Sequence, residues 1–256
     1  MIRTCTAGCD LVVLCGGLGT RLRSAVSDRP KALAMIDDRP FLDFILGHFV
    51  RHGIARIILC TGYLGDCIDE QYAGIRHPFE LVISREQFPM GTAGAVKQAE
   101  RLIRSDPFMV VNGDSLIDVD PNELLEFHAI QQGWATIALA SADARHDVGF
   151  VALDSHGQVT AFSEKRPSQA SPYHNAGLYV FRHAVLTEIP EQRPVSIELH
   201  VLPALLSRGV FGFVSDAPLY DIGTPERLVT FANSPHGWRG RVLPGAITGT
   251  GRNRSS

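Results

Sequence analysis

A glycine-rich segment near the amino terminus holds the first residues that could do chemistry. It has the sequence LCGGLGTRL at residues 14–22 and follows an apolar run. Glycines let the backbone approach a ligand closely and leave peptide N–H groups free for phosphate oxygens, and Arg21 adds a planar positive group. The residues expected around a phosphate are Leu14, Gly16, Gly17, Gly19, Thr20 and Arg21. The alternative is a glycine turn that serves packing alone.

Lys31 stands where this loop ends, directly after Pro30. A lysine there can reach the β and γ phosphates of a triphosphate held by the glycines and neutralise a pyrophosphate leaving group. The loop is not a Walker A motif, because no G-K-[ST] follows, and it lacks the G-x-G-x-x-G spacing of a dinucleotide fold. A dinucleotide-dependent oxidoreductase is therefore not supported.

Asp114 follows the apolar run FMVVNG at residues 108–113. This position predicts that it lies at the carboxyl end of a strand, the edge at which open α/β sheets bind ligands. Mg²⁺ prefers one or two carboxylates together with phosphate oxygens and water. Asp114 would supply such a site together with a second carboxylate if the fold brings one close. Otherwise Asp114 is a turn or helix-capping aspartate.

The elements that must position these residues alternate up to about Gly133. Apolar runs of strand length alternate with segments of helical periodicity, which is typical of a parallel sheet covered on both faces. The pattern predicts an α/β fold with a Rossmann-like, mostly parallel sheet flanked by helices. The predicted strands are 11–15, 56–62 and 108–112, and the predicted helices are 41–52, 65–72, 91–103 and 121–132.

After Gly133 the pattern changes to short strands separated by turn residues. ATIALA and NAGLYVF flank a hairpin signal centred on residues 154–157, which predicts antiparallel pairing. A helix at 196–207, a strand at 210–215 and a last helix ending near Asn233 follow. We expect one domain, 1–233, with parts at about 10–133 and 134–233, and a poorly ordered or peripheral tail at 234–256.

Composition limits the possible partners and the compartment. The formal net charge is −3 with 20% charged residues, so no basic surplus is present for nucleic acid or an anionic membrane. The five cysteines form no C-x-x-C pair, and no apolar run is long enough to span a membrane. The start has no apolar signal region, and we expect a cytoplasmic protein.

Two further groups are interpreted as structural. His48 and His52 stand four residues apart but lack an H-E-x-x-H pattern, so we expect an outward-facing, solvated pair rather than a metal site. Cys15 and Cys60 lie inside apolar strands, and we expect buried core thiols.

The glycine loop and its neighbours resemble a known signature. G-G-x-G-T-R-L at residues 16–22, followed by Pro30-Lys31, is similar to the sugar-phosphate nucleotidyltransferases, also called NDP-sugar pyrophosphorylases. The later motifs of that family follow in order between about residues 10 and 230: GTAGA at 91–95, NGD at 112–114, EK at 164–165, NAG at 175–177 and DIGTP at 221–225. The resemblance implies a GT-A-like nucleotidyltransferase fold and a magnesium-dependent enzyme.

The resemblance also implies roles for individual residues. Lys165 would hold the phosphate of an acceptor sugar, and Mg²⁺ would be bound by Asp114 and Asp221. Asn175 could donate to the sugar or simply satisfy a turn. The further implied nucleotide-binding residues are Gly91, Thr92, Gly94 and Asn112, and the implied sugar-binding residues are Glu164, Asn175, Gly177 and Glu198.

The substrates follow mainly from the same resemblance. The stretches GGLGTRLRSAVSDRPKAL, ILCTGYLGDCIDEQY and EQFPMGTAGAV most resemble the D-glycero-D-manno-heptose 1-phosphate guanylyltransferase branch, which serves surface polysaccharide synthesis. Glu86 could accept from N1–H and the 2-amino group of guanine, a pairing that uracil cannot offer. We therefore expect GTP and a heptose 1-phosphate as substrates, with direct in-line attack on the α-phosphorus and no covalent intermediate.

Three alternatives stay open. The first is a mannose 1-phosphate guanylyltransferase, and the second is a uridylyltransferase acting on a hexose or N-acetylmuramic acid 1-phosphate. The third is a catalytically silent nucleotide-sugar-binding regulator, which the retained charged residues disfavour. Homo-oligomer formation also stays open.

Overall fold

A computed structural model describes residues 6–17, 28–141, 149–163, 172–234, 238 and 243. The strands are β1 Asp10–Leu14, β2 Met35–Ile36, β3 Arg39–Pro40, β4 Arg56–Thr61, β5 Glu80–Arg85, β6 Phe108–Asn112, β7 Ser115–Ile117, β8 Ala135–Ser141, β9 Phe150–Leu153, β10 Val159–Ser163, β11 Tyr173–Phe181, β12 Val210–Ser215 and β13 Leu219–Asp221. The helices are α1 Phe41–Arg51, α2 Gly65–Tyr72, α3 Gly91–Gln98, α4 Pro121–Gln131, α5 Leu202–Leu205 and α6 Pro225–Ala232.

The parallel half of the main sheet has the order β5-β4-β1-β6. Strand β1 pairs in parallel with both β4 and β6, so that Leu14 lies between Cys60 and Asn112. Leu11 and Val13 pack into one core cluster, whereas Val12 packs into a second cluster on the opposite face. This two-sided burial explains the continuous apolar runs, and the predicted α/β class is confirmed.

The antiparallel half consists of β8, β9, β10 and β11. Strand β11 pairs antiparallel with β6, β8 and β9, and β9 and β10 form the expected hairpin. The β11–β8 register shifts between Asn175 and Tyr179, where Gly177 has a φ of +72°. Strand β12 pairs with β8 in parallel and extends this half outward.

A separate two-stranded sheet is decisive for the site. β7 follows β6 after a two-residue turn and pairs antiparallel with β13, which aligns Ser115 with Asp221. These short strands were not predicted, because three-residue segments carry little periodicity. Strand β5 was also missed, since its edge position leaves most of its side chains partly exposed and interrupts the apolar run.

The helices follow the sequence signals with two exceptions. α4 begins as predicted, with the Asp120 carboxylate accepting from Asn122 N at 2.8 Å and Pro121 in its first turn. α3 ends at Gln98 and is followed by a 3-10 turn rather than continuing to residue 103. The predicted helix 196–207 is a π turn, a short α-helix and a 3-10 turn. Pro203 contributes to this break because it has no N–H for the carbonyl of Leu199.

Two expectations about burial were wrong. His48 is fully buried, its Nε2 lies 2.9 Å from the Val119 carbonyl oxygen, and burial lowers the pKa of His48 to about 4. It is therefore a core histidine rather than a solvated one. Trp238 and Leu243 are also buried in the core, so the tail is not peripheral at these two positions.

Other expectations about burial hold. Cys15 and Cys60 are buried thiols, as expected, and burial raises the pKa of Cys15 to about 12. None of the helices in the described ranges combines the length and the apolar character that crossing a bilayer requires.

Candidate active site

Two aspartates meet at the carboxyl end of β6. Asp114 follows that strand directly, and its carbonyl oxygen accepts from Ile222 N at 3.0 Å. Because Asp221 is aligned with Ser115, the β7–β13 pairing brings the Asp114 and Asp221 backbones side by side. The condition that the sequence left open, proximity of the two residues, is therefore met.

Lys31 lies against the first of these carboxylates. Its Nζ is 2.6 Å from Asp114 Oδ2, and the lysine side chain is only 14% exposed. Ser115 Oγ donates to the other carboxylate oxygen at 3.1 Å. Lys31 opens a 3-10 turn whose Ala32 and Leu33 are buried, and this burial fixes its position under the site. The Lys31 ammonium group and the Asp114 carboxylate thus form one corner of the site at the carboxyl end of β6.

The Asp221 carboxylate also has two donors within the protein. Its Oδ1 accepts from Gly223 N at 2.9 Å and from the Arg227 guanidinium at 2.9 Å. A Cβ on Gly223 would lie 2.7 Å from that oxygen, so the turn requires glycine. Arg227 was not predicted. The available signal was the DIGTP motif, in which Thr224 caps α6 and Pro225 begins it, because this places the first turn of α6 beside Asp221.

The residues expected around the metal fit a magnesium ion. Within the described ranges, no group of three or more His, Cys, Asp or Glu side chains could hold an ion alone. Two carboxylates at a strand edge suit Mg²⁺, which takes its remaining ligands from phosphate and water. Lys31 pairs with Asp114 and Arg227 pairs with Asp221, so each carboxylate lies against a positive side chain.

Glu86 lies beside the start of the glycine loop. A Cβ on Gly16 would lie 3.5 Å from Glu86 Oε2, and one on Gly62 would lie 3.2 Å from the same oxygen. Met90 N donates to this oxygen at 3.3 Å, and burial raises the pKa of Glu86. The structure therefore brings Glu86 and Gly16 together.

The glycines at the start of α3 have a packing role. Gly91 has a φ of +71°, and a Cβ there would lie 2.6 Å from the Val195 carbonyl oxygen. That oxygen accepts from Ala93 N at 2.9 Å and from Gly94 N at 3.2 Å. These two N–H groups bind protein, and contact of the turn with a base stays a prediction.

The expected sugar side contains a second cluster of contacts. Asn175 Oδ1 accepts from Gly177 N at 2.9 Å, so Asn175 does satisfy a turn, the second of its two expected roles. A Cβ on Gly177 would lie 2.6 Å from Asn112 Nδ2, which shows how closely this turn approaches the nucleotide-side strand β6. Leu14, Gly17, Thr92 and Glu198 are also among the described residues, whereas Gly19, Thr20, Arg21, Glu164 and Lys165 lie outside them.

Comparison with known proteins gives the family. A family model described as nucleotidyl transferase matches residues 11–235, nearly the span expected from the motifs. The chain belongs to the nucleotidyl transferase family. The resemblance drawn from the glycine loop and the later motifs is thereby confirmed.

The curated relatives of this chain include two kinds of guanylyltransferase. The chain is 35% identical over 224 residues to a mannose-1-phosphate guanylyltransferase of Mycobacterium tuberculosis, covering 86% of this chain and 62% of the relative. It is 34% identical over 223 residues to a D-glycero-alpha-D-manno-heptose 1-phosphate guanylyltransferase of Aneurinibacillus thermoaerophilus, covering 85% of this chain and 94% of that protein. The chain thus spans less than two thirds of the first relative and nearly all of the second.

A solved structure supports the same fold. HddC from Yersinia pseudotuberculosis, complexed with GMP-PN, superimposes with a TM-score of 0.76 at 31% identity. The match covers 86% of this nucleotidyltransferase and 96% of that chain.

Proposed function

We propose that this nucleotidyltransferase transfers GMP from GTP to a sugar 1-phosphate, with D-glycero-α-D-manno-heptose 1-phosphate as acceptor and GDP-heptose and pyrophosphate as products. The observation that carries the proposal is the corner formed by Lys31, Asp114 and Asp221, close to Leu14 at the start of the glycine loop. A cytoplasmic location and a role in surface polysaccharide synthesis remain predictions.

The reaction needs positioning and charge neutralisation rather than a covalent intermediate. A phosphate oxygen of the sugar 1-phosphate attacks the α-phosphorus and forms a new P–O bond. The bond between the α-phosphorus and the oxygen that bridges the α and β phosphates breaks, and pyrophosphate is released. Lys31 is poised at the β6 edge to transfer its contact from Asp114 to a phosphate oxygen. We assign Arg21 to the triphosphate and Lys165 to the attacking phosphate.

Asp114 and Asp221 would hold Mg²⁺. The bound ion would supply positive charge next to the α-phosphate and neutralise charge that develops there. Asp221 is oriented for this task by Gly223 N and Arg227, and Asp114 by Ser115. Both carboxylates are therefore restrained before a ligand binds.

Guanine recognition is assigned to Glu86. Its carboxylate lies within reach of the Gly16 backbone, where a bound nucleotide would pass, and a carboxylate can accept two hydrogen bonds from the N1–H and 2-amino edge of guanine. We assign Gly91, Thr92, Gly94 and Asn112 to the same nucleotide side. The GMP-PN complex of the Yersinia relative supports a guanine nucleotide.

The acceptor sugar is the finer part of the proposal. The stretches ILCTGYLGDCIDEQY and EQFPMGTAGAV resemble the heptose 1-phosphate guanylyltransferases, and the 34% identity to the Aneurinibacillus enzyme supports the heptose acceptor. Mannose 1-phosphate is the second candidate, supported by the slightly higher identity of that relative. Asn175 and Gly177 are assigned to the sugar side with Glu164.

A substrate grid tests the proposal. Pyrophosphate release is measured with Mg²⁺ for GTP, ATP, UTP and CTP, each combined with heptose, mannose and N-acetylmuramic acid 1-phosphates. We expect turnover with GTP, highest with the heptose phosphate. Turnover confined to UTP and a hexose phosphate would overturn both substrate assignments, and turnover in no combination would favour the silent regulator.

A further inference from the structure

A chain of hydrogen bonds links the two sides of the proposed site. Asn175 Nδ2 donates to the Tyr179 hydroxyl at 2.8 Å, and this hydroxyl donates to Glu198 Oε1 at 2.9 Å. Thr92 Oγ1 donates to Glu198 Oε2 at 3.1 Å. The chain therefore runs from the sugar side in β11 to the first turn of α3 on the nucleotide side.

Tyr179 is the central member and has no other assigned role. It is fully buried in β11, and burial together with the negative Glu198 raises the pKa of Tyr179 well above its usual value. The hydroxyl thus keeps its proton. A carboxylate can only accept, so the single proton must point to Glu198, and the hydroxyl oxygen must accept from Asn175.

The direction of the Tyr179 hydroxyl proton fixes the orientation of the Asn175 side-chain amide, because both its nitrogen and its oxygen then have a defined partner. Gly177 N donates to Asn175 Oδ1, so the carbonyl end of the amide faces that N–H. If the amide were reversed, Nδ2 would oppose the Gly177 N–H, and Oδ1 would face a hydroxyl whose proton is already directed to Glu198. The orientation leaves one Nδ2 hydrogen of Asn175 for a further acceptor.

Glu198 is engaged by protein donors on both oxygens. Oε2 accepts from Ser196 Oγ at 2.7 Å in addition to Thr92, while Oε1 accepts from Tyr179. Thr92 Oγ1 in turn accepts from Ile197 N at 2.8 Å, which ties α3 to the π turn that carries Glu198. These contacts favour a positioning role for Glu198 over the direct sugar contact that the resemblance implies.

We propose that Tyr179 is a positioning residue of the transfer reaction, whose hydroxyl orients the Asn175 amide for the acceptor sugar and, through Glu198, holds Thr92 on the nucleotide side. The inference rests on the proposed function, because it takes Asn175 and Thr92 as the ends at which sugar and nucleotide bind. It assigns the specificity for the acceptor partly to a side chain that does not touch it.

Tyr179→Phe tests this role against Tyr72→Phe. Tyr72 is also buried, and its hydroxyl donates at 2.7 Å to the carboxylate of Asp43, a residue with no assigned role in the site. Both variants lose one buried tyrosine–carboxylate hydrogen bond, and Tyr179→Phe also loses the bond from Asn175, so both should lower Tm. Only Tyr179→Phe should raise KM for the sugar 1-phosphate, by about tenfold, with a smaller rise in KM for GTP and little change in kcat.

The outcomes separate the inference from the proposed function. If the wild-type protein shows no turnover with any substrate pair, the proposed function is wrong, and this is known before a variant is compared. Wild-type turnover with equal KM values in Tyr179→Phe and Tyr72→Phe overturns the positioning role.

NMR provides a readout that needs no turnover. The Asn175 side-chain amide signals, assigned by their loss in Asn175→Asp, should shift in Tyr179→Phe and stay in place in Tyr72→Phe. Unchanged Asn175 signals in Tyr179→Phe would also overturn the positioning role.

Discussion

The two halves of the main sheet carry their polar site residues in different ways. In the parallel half, Asn112 ends β6 and Asp114 follows it, so these residues stand at the end of a buried apolar strand. In the antiparallel half, Asn175 and Tyr179 stand within β11 and hydrogen-bond to each other. Site residues at strand ends can change without disturbing the core, whereas those within β11 also hold the fold together.

The largest expected effect belongs to the parallel half. Asp114→Asn removes the carboxylate charge next to the reacting phosphate, and we expect turnover to fall by about 1,000-fold with Tm little changed. Glu100→Gln is the comparison, since Glu100 is a similarly exposed carboxylate 2.8 Å from Lys97 and should retain full turnover. A large drop in Tm for Asp114→Asn would contradict the separation of chemistry from folding in this half.

Gly177→Ala should show the opposite behaviour in the antiparallel half. The substitution adds the cost of a left-handed backbone to a clash with the Asn112 amide, so we expect a loss of about 2–4 kcal/mol in unfolding free energy together with reduced turnover. Gly157→Ala has a similar φ of +78° but no atom within 4 Å of its Cβ, and should lose about 1 kcal/mol. Equal losses in denaturant titrations of the two variants would break the comparison.

Glu86→Gln should have the smallest effect and act on base selectivity. We expect the preference for GTP over UTP in kcat/KM to fall about tenfold, because an amide accepts less well from the guanine edge. Since burial raises the pKa of Glu86, KM for GTP should rise as pH falls through that raised pKa, and this rise should be absent in the variant. Glu80→Gln, at the other end of β5, should leave both the selectivity and the pH profile unchanged.

The same contrast explains how much could be predicted from the sequence. The strands β1, β4 and β6 were predictable, because a strand buried on both faces has a continuous apolar sequence. The position of Asp114 was predictable, because open α/β sheets bind ligands at the carboxyl ends of their strands. The pairing of β7 with β13 was not, since only tertiary contact aligns Ser115 with Asp221.

Side-chain partners were the least predictable part of the site. Gly91 and Gly94 were expected to bind a ligand, but both also pack against the Val195 backbone. Val195 is 101 residues from Gly94 in the sequence, so this contact could not be predicted. Tyr179 gave no signal, because a tyrosine in an apolar strand resembles any core aromatic residue.

The central claim is that the Lys31–Asp114 corner is where nucleotidyl transfer occurs, and Lys31→Ala tests it most directly. Lys97→Ala is the control, because Lys97 is 13% exposed and 2.8 Å from Glu100, much as Lys31 is 14% exposed and 2.6 Å from Asp114. With GTP, heptose 1-phosphate and Mg²⁺, we predict that pyrophosphate release falls at least about 100-fold in Lys31→Ala and stays near the wild-type rate in Lys97→Ala. Near wild-type release by folded Lys31→Ala would contradict the account.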